Sequence, residues 1–190
     1  MTRIVIFASG SGSNVENIAK YFVDSKEIMI QKVLCNKKGA GVFDRCKRLG
    51  ISCEWFSKEA LYDSDQVLNS LLKTADAIIL AGFLWKIPEA LIMAYPNKII
   101  NIHPSLLPKY GGKGMYGMHV HRAVKKNHEK ETGITIHFVN NQYDEGAIIF
   151  QAKTRLENSD SPEDIAEKIH KLEAKYFPKV IKNTLLKNGK

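Results

Sequence analysis

The sequence predicts an α/β protein: a mostly parallel, twisted sheet flanked by helices, followed by a C-terminal β-hairpin region and a long final helix. Three observations predict it. Short apolar runs rich in β-branched residues alternate with helix-like stretches over the first hundred residues, the order that builds parallel sheets. After Gly133 two apolar runs follow each other across a polar turn, which reads as a hairpin. Ser161-Pro162-Glu163-Asp164 then opens a helix, with proline at the first helical position and acids in the first turn.

Taken in order, residues 3–8 form an apolar strand that ends at Ser9-Gly10-Ser11-Gly12-Ser13-Asn14, and a helix follows to about Tyr21. Residues 28–34 make a second strand, 42–49 a basic helix and 51–56 a third strand. Residues 65–73 read as a helix and 77–80 as a buried strand, which runs into an apolar, aromatic hinge over 81–88. Pro88 suits the first turn of a helix over 89–94, and 98–102 is the strand that leads to Asn101 and His103. Residues 110–117 hold four glycines and predict a mobile loop or lid. The hairpin pairs 133–139 with 147–154, and the final helix is expected to reach Leu186 with a kink at Pro178. Such alternation describes a Rossmann-like sheet, whose ligands bind beyond the carboxyl ends of the strands.

Composition narrows the function classes. A chain of 190 residues with 44% hydrophobic and 25% charged content suits one globular domain. No apolar run approaches the ~18 residues of a membrane helix. The amino terminus runs directly into a strand pattern without a signal-peptide h-region, so the expected location is cytoplasmic. Cys35, Cys46 and Cys53 are odd in number and lack zinc spacing, which reads as buried thiols. The net charge of +8 suits several anionic partners. Lys168, Lys171, Lys175, Lys179, Lys182, Lys187 and Lys190 supply much of the excess, and they read as the solvated face of the last helix.

Two stretches carry chemistry. In the glycine loop, Gly10 and Gly12 let backbone approach a ligand, Ser11 and Ser13 add hydroxyl donors, and the following helix offers free amides and a favourable dipole. Val15 replaces the third glycine of a dinucleotide fingerprint and no Gly-Lys-Ser/Thr follows, so a phosphomonoester fits better than a nucleotide. The alternative is a tight turn in which Ser13 or Asn14 caps the helix. In the second stretch, Asn101 and His103 share one strand face by the period of two, and Pro104 ends the strand and leaves His103 at the sheet rim. Asp144, in the hairpin turn, is either a turn former or the carboxylate that orients or charges His103. His119 and His121 could point the same way if extended. A two-His metal site there lacks further ligands, and helix or loop packing is the alternative.

The motif Asn101-Ile102-His103-Pro104-Ser105-Leu106-Leu107-Pro108, together with the 9–14 loop and Asp144-Glu145-Gly146, resembles the folate-dependent formyltransferases. The resemblance covers nearly the whole chain and is nearest to those that act on glycinamide ribonucleotide in purine biosynthesis. It implies a catalytic triad of Asn101, His103 and Asp144, and a ribose-phosphate loop of Ser11, Gly12, Ser13 and Asn14. It also implies a substrate contact from Glu173 and a folate pocket lined by Phe83, Leu84, Trp85, Lys86, Ile87, His137, Val139 and Asn140. One domain over 1–190 would divide into a phosphate-binding half, about 1–100, and a folate-binding and catalytic half, about 101–190. The implied co-substrate is 10-formyltetrahydrofolate, with no metal. The implied partners are small molecules, with no nucleic acid and no membrane, for a monomer or homodimer. Trp85-Lys86 stands where the family often has an arginine, and the 111–117 stretch is longer than the common version. Formyl transfer to another small amine such as an amino sugar, or a non-catalytic anion- or folate-binding module, are the competing readings.

Overall fold

A computed structural model describes residues 1–187; Lys190, read from sequence as part of a solvated helix face, lies outside them. The described elements are β1 (Thr2–Ala8), α1 (Ser13–Phe22), β2 (Ile28–Cys35), α2 (Val42–Leu49), β3 (Cys53–Trp55), α3 (Lys58–Tyr62) and α4 (Gln66–Thr74), followed by β4 (Ala77–Leu80), α5 (Glu89–Ala94), β5 (Ile99–His103), α6 (Met118–Lys126), β6 (Glu131–Phe138), β7 (Ile148–Arg155) and α7 (Pro162–Lys187).

The seven strands form one sheet in the order β3-β2-β1-β4-β5-β6-β7. The first five are parallel and the last two antiparallel, so the hairpin extends the same sheet rather than standing apart. The chain moves from β1 to one side as far as β3 and returns through β4 on the other. A crevice therefore opens between the carboxyl ends of β1 and β4, where no crossover covers the sheet. Both the glycine loop and the 81–88 hinge start at that crevice.

The core lies on both faces of the sheet, because strands covered on two sides must be apolar throughout. Ile4, Ile6, Ile100, Ile102, Ile134 and Ile136 face α1, α2 and α7. Val5, Phe7, Ile78, Leu80 and Ile99 face α4, α5 and the hinge. Two helices went unread in the sequence. The short α3 is capped by Ser57, whose Oγ accepts from the Ala60 amide at 3.1 Å. The other is α6, where Val120, His121 and Val124 are the buried face. Smaller differences have local causes. Pro88 is extended (ψ 147°) and serves as the N-cap of α5 rather than its first helical residue. β3 keeps only three paired residues because it is the sheet edge. Cys35 and Cys46 are buried as expected, whereas Cys53 at that edge is half-buried. α7 runs continuously through the buried Pro178.

Candidate functional site

A cleft of about 660 Å³ lies along the carboxyl edge of the sheet. Every site residue named from the sequence lines it, although those residues come from segments spread from Ser11 to Glu173. The chain brings them together by five separate devices.

The first is the glycine loop. Gly12 is the N-cap of α1 in the left-handed region (φ 77°), and no side chain caps the helix. The amides of the first turn are thus left for an anion, and neither Ser13 nor Asn14 takes the capping role that sequence allowed. Gly12 is required twice over, since a Cβ there would lie 2.7 Å from Val42 Cγ2. α2 buttresses the loop from behind. The Val42 amide donates to the Gly10 carbonyl at 3.1 Å and Arg45 Nε to the Ser11 carbonyl at 2.7 Å, while the Arg45 guanidinium also pairs with Glu16.

The second device ties that loop to the hinge. The Ser9 amide donates to the Gly82 carbonyl at 3.1 Å, and Ser9 Oγ accepts from the Leu84 amide at 3.0 Å. Beyond it Phe83 and Ile87 are buried, and Leu84 is exposed at the mouth. Trp85 packs edge-on to Phe56 at 5.9 Å and tilted to Tyr62 at 6.2 Å, so α3 supplies part of an aromatic wall. The Tyr62 hydroxyl donates to the Lys86 carbonyl at 2.7 Å, and Lys86 Nζ lies 5.9 Å from the Tyr143 ring centre. This is a surface for a flat, partly apolar ligand.

The third device is the end of β5. Asn101 and His103 do share a face, and the antiparallel register puts His137 directly opposite Asn101. Asn101 Nδ2 donates to His137 Nε2 at 3.0 Å, while His137 Nδ1 donates to the Phe138 carbonyl at 2.8 Å. His137 Nε2 also lies 3.7 Å from Asp144 Oδ1, and Asn101 keeps a second N–H for a ligand. His103 donates from Nε2 to the Tyr110 carbonyl at 2.7 Å, and its Nδ1 lies 3.4 Å from Asp144 Oδ2.

The fourth is the hairpin turn that carries Val139, Asn140 and Asp144. Asp144 has a left-handed φ of 58° and accepts the Gly112 amide at 2.9 Å. Gly146 is needed because a Cβ there would sit 1.7 Å from the Phe138 carbonyl oxygen. Burial alone would raise the Asp144 carboxyl. The neighbouring His137 and His103 rings and the Gly112 amide outweigh it and hold the group below its usual range. For His103 the balance falls the other way. Burial pushes the imidazole below 6.5, against the pull of Asp144 and the Tyr110 carbonyl. The carboxylate beside His103 pulls the ring upward as the sequence suggested, and desolvation outweighs that pull in the free protein.

The fifth device is α7, which lays Glu173 over the glycine loop. Asn14 Nδ2 donates to Glu173 Oε2 at 3.0 Å, and burial raises this carboxyl to about 7.

Sequence reading missed several lining residues, including His121, His170 and Tyr116. His170 was findable, since it stands one helical turn before Glu173 on the same face. His121 was not, because helix or loop packing of the two histidines does not by itself say which ring faces the cleft. In α6 a spacing of two separates them, so His121 is buried and His119 is exposed against Tyr116. Among the described residues no group of three or more His, Cys, Asp or Glu is arranged to hold a metal ion.

A sequence profile described as formyl transferase matches residues 2–181. The chain is 37% identical over 186 residues to the chloroplastic phosphoribosylglycinamide formyltransferase of Arabidopsis thaliana, covering 94% of this chain and 64% of that protein. It is 34% identical to the phosphoribosylglycinamide formyltransferase of Bacillus subtilis, over 100% of this chain and 98% of the relative. The crystal structure of glycinamide ribonucleotide transformylase 1 from Symbiobacterium toebii superposes with a TM-score of 0.86 at 30% identity, covering 95% of this chain and 86% of that one.

Proposed function

The chain belongs to the formyl transferase family, and we propose that it transfers the formyl group of 10-formyltetrahydrofolate to the amine of glycinamide ribonucleotide. The observation that carries this reading is the single cleft in which an uncapped, anion-ready helix start and an aromatic wall meet the Asn101, His103 and Asp144 cluster. The glycine loop, Ser11 to Asn14, takes the ribose phosphate. Glu173 and Asn14 take the glycinamide end. The hinge, Phe83 to Ile87, with His137, Val139 and Asn140, takes the folate. The amino-terminal half thus holds the acceptor's phosphate, and the carboxyl-terminal half the donor and the reacting atoms.

Holding both substrates converts a bimolecular reaction into an effectively unimolecular one, an effect worth several kcal/mol where the reacting groups are well oriented. The neutral amine attacks the formyl carbon, forming a carbon–nitrogen bond and placing negative charge on the former carbonyl oxygen. The free N–H of Asn101 donates to that oxygen. His103 and Asp144 act as a pair that takes up the proton of the attacking nitrogen. The resulting imidazolium is stabilised by Asp144 at 3.4 Å. The same proton passes to the departing folate nitrogen as its bond to the formyl carbon breaks, so proton and charge are balanced at the end. Three free thiols suit a reducing compartment such as the cytoplasm, and no described helix is long and apolar enough to cross a membrane.

The test is a spectrophotometric assay of folate release from 10-formyltetrahydrofolate with and without glycinamide ribonucleotide. Release that depends on the ribonucleotide is expected. Equal release without it, or none in either case, overturns the reading.

A further inference from the structure

Three successive carbonyls of the glycine loop are engaged away from the cleft. The Gly10 carbonyl accepts the Val42 amide at 3.1 Å, the Ser11 carbonyl accepts Arg45 Nε at 2.7 Å, and the Gly12 carbonyl accepts the Glu16 amide at 3.0 Å. A trans peptide group points its carbonyl and its N–H in opposite directions, so the first bond also orients the Ser11 amide and the second the Gly12 amide. Ser11 and Gly12 line the cleft, whereas no described residue of α2 does. Among the described residues, neither of these two amides donates to a backbone acceptor. Two of the three carbonyls are held by backbone N–H groups, which substitution leaves in place. Only the Ser11 carbonyl is held by a side chain. The same guanidinium pairs with Glu16, which also binds Lys20 Nζ at 2.7 Å. The start of α2 is pressed against the loop, since a Cβ on Gly41 would lie 3.4 Å from Ser11 Cα.

From this geometry we propose that Arg45 is a positioning residue for the anion loop, which holds the Ser11 carbonyl toward α2 and thereby presents the Gly12 amide to a phosphomonoester in the cleft. Arg45 does not itself touch the ligand. Its charged N–H makes a stronger bond to a carbonyl than a neutral donor does, and the peptide it holds is followed by glycine, the residue that least resists rotation. Without that bond the Ser11–Gly12 peptide is free to turn its carbonyl, the negative end of its dipole, toward the anion. Charge compensation is a second route by which Arg45 could act, because Glu16 stands in the first turn of the helix that receives the phosphate. Lys20 already binds that carboxylate, so the orienting bond to Ser11 is the part that Arg45 alone supplies. The effect on turnover rests on the formyl-transfer reading; the orientation of the amide and its affinity for a phosphomonoester do not.

The experiment titrates the full ¹⁵N-labelled chain with ribose 5-phosphate, read by calorimetry and by the backbone amide spectrum. In the unsubstituted protein the Ser11 and Gly12 amide protons should move downfield as the phosphate binds. Arg45→Met keeps the aliphatic stem and removes every donor. It should weaken ribose 5-phosphate about tenfold and raise the ribonucleotide KM by a similar factor, with kcat and the folate KM within about twofold. Glu16→Gln leaves the Ser11 bond in place and should hold the ribose 5-phosphate Kd within about twofold. Undiminished affinity in Arg45→Met, an equal loss in Glu16→Gln, or a parallel rise in both KM values would overturn the proposal. Unmoved Ser11 and Gly12 amides in the unsubstituted protein would overturn it without recourse to any variant. Failure of the formyl-transfer reading would show separately, as a chain in which Arg45→Met weakens ribose 5-phosphate but the ribonucleotide elicits no folate release from the unsubstituted protein.

Discussion

Glu173→Gln tests the electrostatics of the acceptor end of the cleft. Glu173 is 8% exposed, and burial raises its titration from 4.5 to about 7, with the Asn14 hydrogen bond pulling the other way. Because the folded carboxyl titrates above the unfolded one, the folded state binds more protons between the two values. Stability then falls as pH rises from about 4.5 to about 7 and is level above that. Each tenfold change in proton concentration across that interval is worth about 1.4 kcal/mol, so ionised Glu173 costs the fold on the order of 3 kcal/mol at pH 8. Glutamine avoids that cost. Its carbonyl accepts from Asn14 Nδ2, and its amide can donate to Asn14 Oδ1, which is buried without a partner. Urea unfolding of both proteins at pH 5, 6, 7 and 8 measures the effect. At pH 5, where Glu173 is largely neutral, the two should agree within about 1 kcal/mol. At pH 8 the glutamine variant should be the more stable by about 3 kcal/mol. Parallel stability profiles, with the same gap at pH 5 and pH 8, would refute the reasoning.

His103→Ala and Asp144→Asn should each lower kcat by roughly 10²–10⁴-fold with folate affinity retained, measured by steady-state turnover and by fluorescence titration with a folate analogue. Gly12→Ala forces a Cβ to 2.7 Å from Val42 Cγ2 at a left-handed position. It should cost about 1–3 kcal/mol in urea unfolding and raise the ribonucleotide KM, and Val42→Ala should rescue only the steric part. Gly146→Ala meets a backbone oxygen that cannot yield. Displacement of the Asp144 turn should therefore appear as lost kcat together with a lowered thermal midpoint.

The sequence determined the alternation of elements, the sheet type and the two chemical stretches, because each rests on local patterning. The short apolar runs at Ile4 to Phe7 and Ile99 to Ile102 read as buried strands, and a serine- and glycine-rich turn between strand and helix offers backbone amides. The motif around Asn101 and His103 and the acid at Asp144 were legible as residue types. Tertiary structure alone decided what those residues do to one another. The antiparallel register sets His137 against Asn101, and the left-handed turns at Tyr110 and Asp144 aim an acceptor at each side of His103. Burial then opposes the pull of the neighbouring carboxylate on that ring, because desolvation depends on how many layers cover a group and not on its neighbours in the chain. Nothing local marks Glu173 as a group that titrates near neutrality either; that follows from α7 crossing the glycine loop and shutting out water.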